Sequence, residues 1–182
     1  MKKKTLALML AVVLLVGVAA GSTLAWLTDQ TAEVKNTFTV GTINIDLEES
    51  DDLDLKMIPG KTITKDPFVT VEEGSEASWL FVKVEKSSNF DDFMTYEIAA
   101  DWIALEGADG VYYREVEATT AADVEFVVLK DDQVTVKEDV TKEMLDALTE
   151  ETYPTLTFTA YACQKDLVES AADAWTILNP TT

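Results

Sequence analysis

From residue 34 to residue 164 apolar side chains recur at every second position in short runs separated by turn residues, a spacing that calls for half-buried strands. Val34, Phe38 and Val40 fall on even numbers and Ile43, Ile45 and Leu47 on odd ones, so the apolar face changes parity across Gly41 and Thr42, where a bulge at Gly41 is expected. The run from Trp79 to Val84 is apolar on both parities except at Lys83, as in a strand covered on both faces, and belongs mid-sheet. Further strands are read at Thr62 to Glu72, Tyr96 to Ala99, Trp102 to Leu105, Val111 to Val116, Val124 to Leu129, Val134 to Lys137 and Thr155 to Gln164. Pro59-Gly60 makes a turn, and Gly107, Gly110 and Asp131-Asp132 make breaks. Two short helices interrupt the strands. Thr141 caps one that runs to about Glu150, with Met144, Leu145 and Leu148 on one face, and Ser170 caps another over Ala171 to Leu178, ahead of Pro180. The expected fold is mainly β, an antiparallel β-sandwich with two short helices.

Ahead of this domain, Lys2, Lys3 and Lys4 precede an uncharged apolar stretch over residues 6–20, the basic and apolar regions of an export signal. Small residues offer cleavage after Ala20, freeing Gly21, or after Ala25, freeing Trp26. Gly17, Gly21, Ser22 and Thr23 weaken a spanning helix and favour cleavage over an uncleaved anchor. The expected organisation is a signal peptide over 1–25 and one domain over 26–182, secreted and without a stable membrane anchor.

Charge and composition narrow the chemistry. With 14 basic and 34 acidic side chains the chain carries −20, which repels nucleic acids and anionic lipid surfaces. No histidine is present, so the commonest general base and zinc ligand is missing, and a lone cysteine, Cys163, excludes an intrachain disulfide. Gly-rich phosphate loops and nucleophile elbows are absent as well, and no catalytic activity is expected. Acidic clusters at Asp51-Asp52-Asp54, Asp91-Asp92 and Asp131-Asp132 could offer oxygen ligands to calcium, but none has the spaced calcium-loop pattern, and solvated loop charge is the simpler account. Asp91 and Asp92, adjacent in sequence, give no reason to expect a glycosidase pair across a cleft. Trp79, Trp102, Tyr112, Tyr113 and Trp175 could form a sugar platform, though aromatics on strands ordinarily pack. Cys163 is opposite in parity to Leu156, Phe158 and Ala160 and so is placed on the outward face of its strand, where a thiol could join subunits or serve as a small hydrophobe.

The segments 21–49, 57–87, 156–164 and 171–178, taken in order behind an export signal, resemble the TasA/camelysin family of secreted Gram-positive proteins processed by a SipW-type signal peptidase. The most specific matches are the cleavage pattern at Thr23, Ala25, Trp26 and Asp29 and the turn at Pro59, Gly60, Lys65 and Asp66. The resemblance implies a jelly-roll-like sandwich, cleavage between Ala25 and Trp26, and extracellular fibres of a biofilm matrix, the partner being another copy or a related fibre protein. It further implies that the segment from Trp26 to about Thr37, with Trp26, Leu27 and Val34 as anchors, adds a strand to a neighbouring subunit. The alternatives are a monomeric surface module for sugar or calcium and a camelysin-like peptidase, the latter disfavoured by the missing histidines.

Overall fold

The computed structural model describes residues 42–50, 56–119 and 121–179. The chain divides into two compact units, Met1–Thr39 and Val40–Thr182, and every described residue lies in the second. Among the described residues ten strands and three α-helices follow in the order β1 (Ile45–Glu48), β2 (Thr62–Thr64), β3 (Phe68–Val71), β4 (Ser78–Lys86), α1 (Phe90–Phe93), β5 (Met94–Ile98), β6 (Ile103–Ala104), β7 (Val111–Val116), β8 (Val124–Val127), β9 (Leu129–Val136), α2 (Lys142–Asp146), β10 (Leu156–Gln164) and α3 (Ala171–Leu178). The pairings among the described residues are antiparallel, in three ladders ordered β1-β3-β8, β2-β9-β5 and β10-β4-β7-β6. The protein is a mainly β fold of the sandwich type, as its alternation requires.

The first two ladders continue one another. β3 pairs with β8 at Phe68↔Val127 and β2 with β9 at Thr64↔Gln133, and between them Val128 N donates to Pro67 O (2.9 Å) and Lys65 N to Asp132 O (2.8 Å). Asp131 and Asp132, read from the sequence as a break, instead lie inside β9 with φ of 56° and 54°. Aspartate tolerates this left-handed conformation, so the strand bulges and changes register with β5 rather than ending.

Side-chain alternation sorts the core. Leu80, Val82 and Val84 of β4 point inward and pack with Val69, Val71, Val116 and Val128 between the layers. Trp79 and Phe81 point the other way, onto a cluster covered by Ala171, Ala174 and Trp175 of α3. β4 is thus central in its ladder and covered on both faces, the position its double-parity pattern predicts. A third cluster joins Ile63, Val134, Val136 and Met94 to Phe90 and Phe93 of α1, with Met144, Leu145 and Leu148 packed against it.

Both expected helices are present with their caps. Thr141 accepts a hydrogen bond from Met144 N and Ser170 one from Asp173 N. The first stops at Asp146 instead of Glu150, because Leu148 N turns back to Leu145 O and Thr149 and Thr152 close a separate turn through their hydroxyls. α1 is one turn long, too short for helical periodicity to announce. Gly110 sits at φ 71° where a Cβ would lie 2.5 Å from Val84 O, so only glycine lets the turn before β7 approach β4. Among the described residues no helix is long and apolar enough to cross a membrane.

Candidate functional site

The sequence-predicted cleavage residues Ala25 and Trp26, the anchors Leu27 and Val34, the parity change at Gly41 and the cluster Asp51-Asp52-Asp54 all lie outside the described residues. The other candidates have definite places, and the fold keeps them apart. Asp91, on α1, receives both oxygens' hydrogen bonds from Lys86 Nζ at 2.9 and 2.7 Å, the geometry of a surface ion pair. Asp131 is exposed on the β9 bulge, while one carboxylate oxygen of Asp132 is buried without a partner. That burial, with Asp66 and Asp131 nearby, holds the Asp132 carboxyl above its ordinary range. Among the described residues no three carboxylate, thiol or imidazole side chains gather as a metal-holding group.

The five aromatics do not form one platform. Trp102 is buried between the layers, donating its Nε1 to Val127 O at 2.8 Å. Trp79, Tyr113 and Trp175 belong to the opposite face, where Trp79 meets Tyr113 edge-on and Trp175 packs on Phe81 and Tyr161 with centroids 5.3 Å apart. The rings are core, each with its apolar body packed and its polar atom directed to a partner where one is given, as for Trp79 Nε1 to Val168 O. Cys163 does occupy the outward face of β10, but α3 covers that face, so the thiol is half-buried and burial pushes its pKa up. A protonated thiol among aromatics acts as a small hydrophobe.

A half-open cavity of about 560 Å³ lies among β2, β9, α1 and residues 153–156, lined by Ile63, Phe90, Met94, Val134 and Leu156 with Lys56 and Lys65. Among the described residues its lining contains no carboxylate. Lys65 is occupied by Glu49 at 2.6 Å and lies over the Phe158 ring. Ser50 donates to Asp66 at 2.5 Å, which lowers the Asp66 pKa.

Two arrangements have no signal in the sequence. Arg114 points between the layers, its guanidinium stacked 4.0 Å from the Phe126 ring and 5.6 Å from Trp102, with Nε buried and unpartnered. Ser75 and Thr119 are buried and tie the start of β1 to two loops. Asn44 N donates to Ser75 Oγ (3.1 Å), Ser75 N to Thr119 Oγ1 (3.1 Å) and Thr119 Oγ1 to Glu72 O (2.5 Å), while Glu76 N donates to Thr42 O (3.0 Å). This knot fixes where the chain enters the sandwich.

Residues 1–105, more than half of the chain, match the family model described as camelysin metallo-endopeptidase. The chain belongs to the camelysin family. The match spans β1 to β6, including the Pro59-Gly60 turn and the central β4. No curated protein and no solved structure matches the chain. The camelysin description implies a metal centre, and the described residues do not fit one: the sequence holds no histidine, its one cysteine packs into the cluster covered by α3, and among the described residues no three acids gather as a metal-holding group.

Proposed function

We propose that this camelysin-family protein is a secreted structural subunit that assembles with itself, or with a related fibre protein, into extracellular matrix fibres by strand addition. A signal peptidase removes residues 1–25, and the segment from Trp26 to about Thr37 becomes the donor. The observation that carries the reading is the nine-residue strand β10, which among the described residues is paired on one side only, with β4. Support comes also from the lack of histidine and from the export signal. The alternation of β3, β4 and β5, and of β7, β8 and β10, between facing ladders supports a jelly-roll-like connectivity. The protein acts without a cofactor and without catalysis.

Mature protein beginning at Trp26 is expected to form fibres in negative stain, and deletion of Trp26 to Asn36 to leave a folded subunit that does not. Fibres from the truncated chain would end the strand-addition reading. A stable monomer whose elution shifts with calcium would replace it with a surface binding module.

A further inference from the structure

Among the described residues the ladder β2-β9-β5 ends at β5, and a surface groove of about 340 Å³ runs between that strand and β7 of the facing ladder. Its lining is Lys86, Asp91, Thr95, Tyr96, Ile98 and Tyr112, all well inside the described stretch 56–119. Alternation puts the two phenol rings there. Tyr112 opposes Val82, fully buried between the layers, and so shares its inward face, while Tyr96 and Ile98 of β5 pack against the same cluster from the other ladder. Both tyrosines are only half-buried, and Phe90 meets Tyr96 edge-on with centroids 5.8 Å apart, which holds that ring in place. At the rim Lys86 Nζ donates to both carboxylate oxygens of exposed Asp91 and stands 6.0 Å from the centre of the Tyr96 ring. A second acid is near. Burial raises the Tyr96 pKa, and Tyr112, Asp91 and Asp109 lie close enough to add to the rise.

These groups select a ligand by what they leave unpaired. The place a cation would take, over the Tyr96 ring and against Asp91, is already held by Lys86. An anion would meet Asp91 and Asp109. The hydroxyls of Tyr96 and Tyr112 have no hydrogen-bond partner among the described residues, and a phenol both donates and accepts. Asp91 uses on Lys86 two of the roughly four lone-pair positions that a carboxylate offers, so it still accepts. Neutral donors and acceptors beside half-open ring faces fit a molecule with an apolar C–H face and a border of hydroxyls. We infer that the groove between β5 and β7 binds a neutral saccharide, with Tyr96 and Tyr112 packing on the C–H faces of one sugar ring and Asp91 accepting from adjacent hydroxyls. One subunit supplies every residue named. The inference therefore goes beyond the fibre reading and holds whether or not subunits assemble.

Saturation-transfer NMR observes the sugar rather than the protein and so serves for the mature chain as monomer or fibre. Cellotetraose, maltotetraose and tetra-N-acetylchitotetraose are the neutral probes, with tetramers of glucosamine and of galacturonic acid as the cationic and anionic ones. At least one neutral probe is expected to receive saturation at its ring C–H protons, with a dissociation constant of about 1 mM, the strength a single open groove supports. Asp91→Ala and Tyr112→Leu, each with the parent circular dichroism spectrum, should weaken that binding at least about tenfold. Tyr153→Leu, which removes an exposed ring outside the groove, should leave it unchanged. Asp91 lies at the surface, so its variant decides the matter even where Tyr112→Leu does not fold. No transfer to any neutral probe at about 10 mM would overturn the groove as a saccharide site. Undiminished transfer in folded Asp91→Ala, or a preference for either charged tetramer, would overturn it as well.

Discussion

At the scale of single residues, Arg114 shows how a charge is kept between two sheets. It is the chain's one arginine, and stacking on Phe126 and Trp102 offsets part of the cost of leaving its Nε buried and unpartnered. Arg114→Met keeps the packed stem and removes the buried donor, so urea unfolding should place it within about 1 kcal/mol of the parent. Arg114→Ala loses the stem as well and should cost about 2 kcal/mol. Tyr96 sets an alkaline limit. Burial, with smaller contributions from Tyr112, Asp91 and Asp109, raises its pKa from 10.0 to about 12. Protonated Tyr96 is favoured in the folded state, so its contribution is whole below pH 10 and is lost as pH rises through about 12. Denaturation midpoints should therefore fall over that window, and by less in Tyr96→Phe, where the phenol is absent.

At the scale of elements, α3 is a lid on the outer face of the β10-β4-β7 ladder, built by a capped eight-residue helix that places Ala171, Ala174 and Trp175 on Phe81 and Tyr161. Trp175→Ala should cost about 3 kcal/mol in stability and speed the reaction of Cys163 with a maleimide, since the same side chain shields the thiol's face. Unchanged labelling would mean that α3 does not cover Cys163. This arrangement was partly legible beforehand. Ser170, the helical spacing to Leu178 and the outward parity of Cys163 are local signals, and each is realised. That α3 would lie over that face is a long-range fact with no local trace. The bulge at Asp131-Asp132 failed for the reverse reason, because a doublet that ordinarily ends a strand was held in register by Pro67 and Lys65, far away in sequence. The Ser75-Thr119 knot was invisible for the same cause, since neither residue type implies burial.

At the scale of the whole molecule, charge opposes association. The proposed cleavage would remove Lys2, Lys3 and Lys4 and make the mature chain still more negative than −20, so that subunits would repel at low ionic strength. Light scattering should show assembly of the mature protein accelerating as salt is raised toward about 0.15 M, where the screening length shortens to about 8 Å. Assembly that slows with added salt would contradict an electrostatic brake. The kinked strands have a different consequence, one for how the domain comes apart. β2 leads through Lys65, Asp66 and Pro67 into β3, and β8 through Val128 into β9, from one hydrophobic cluster to the other, and the bond from Val128 N to Pro67 O sits at their junction beside fully buried Leu129. Neither cluster can lose its strands while the other keeps them, so the two melt as one cooperative unit. Amide exchange at Val128 and Leu129 should proceed only through global unfolding, as slow as any among the described residues, and a protease should cut within these strands no faster than the whole sandwich opens.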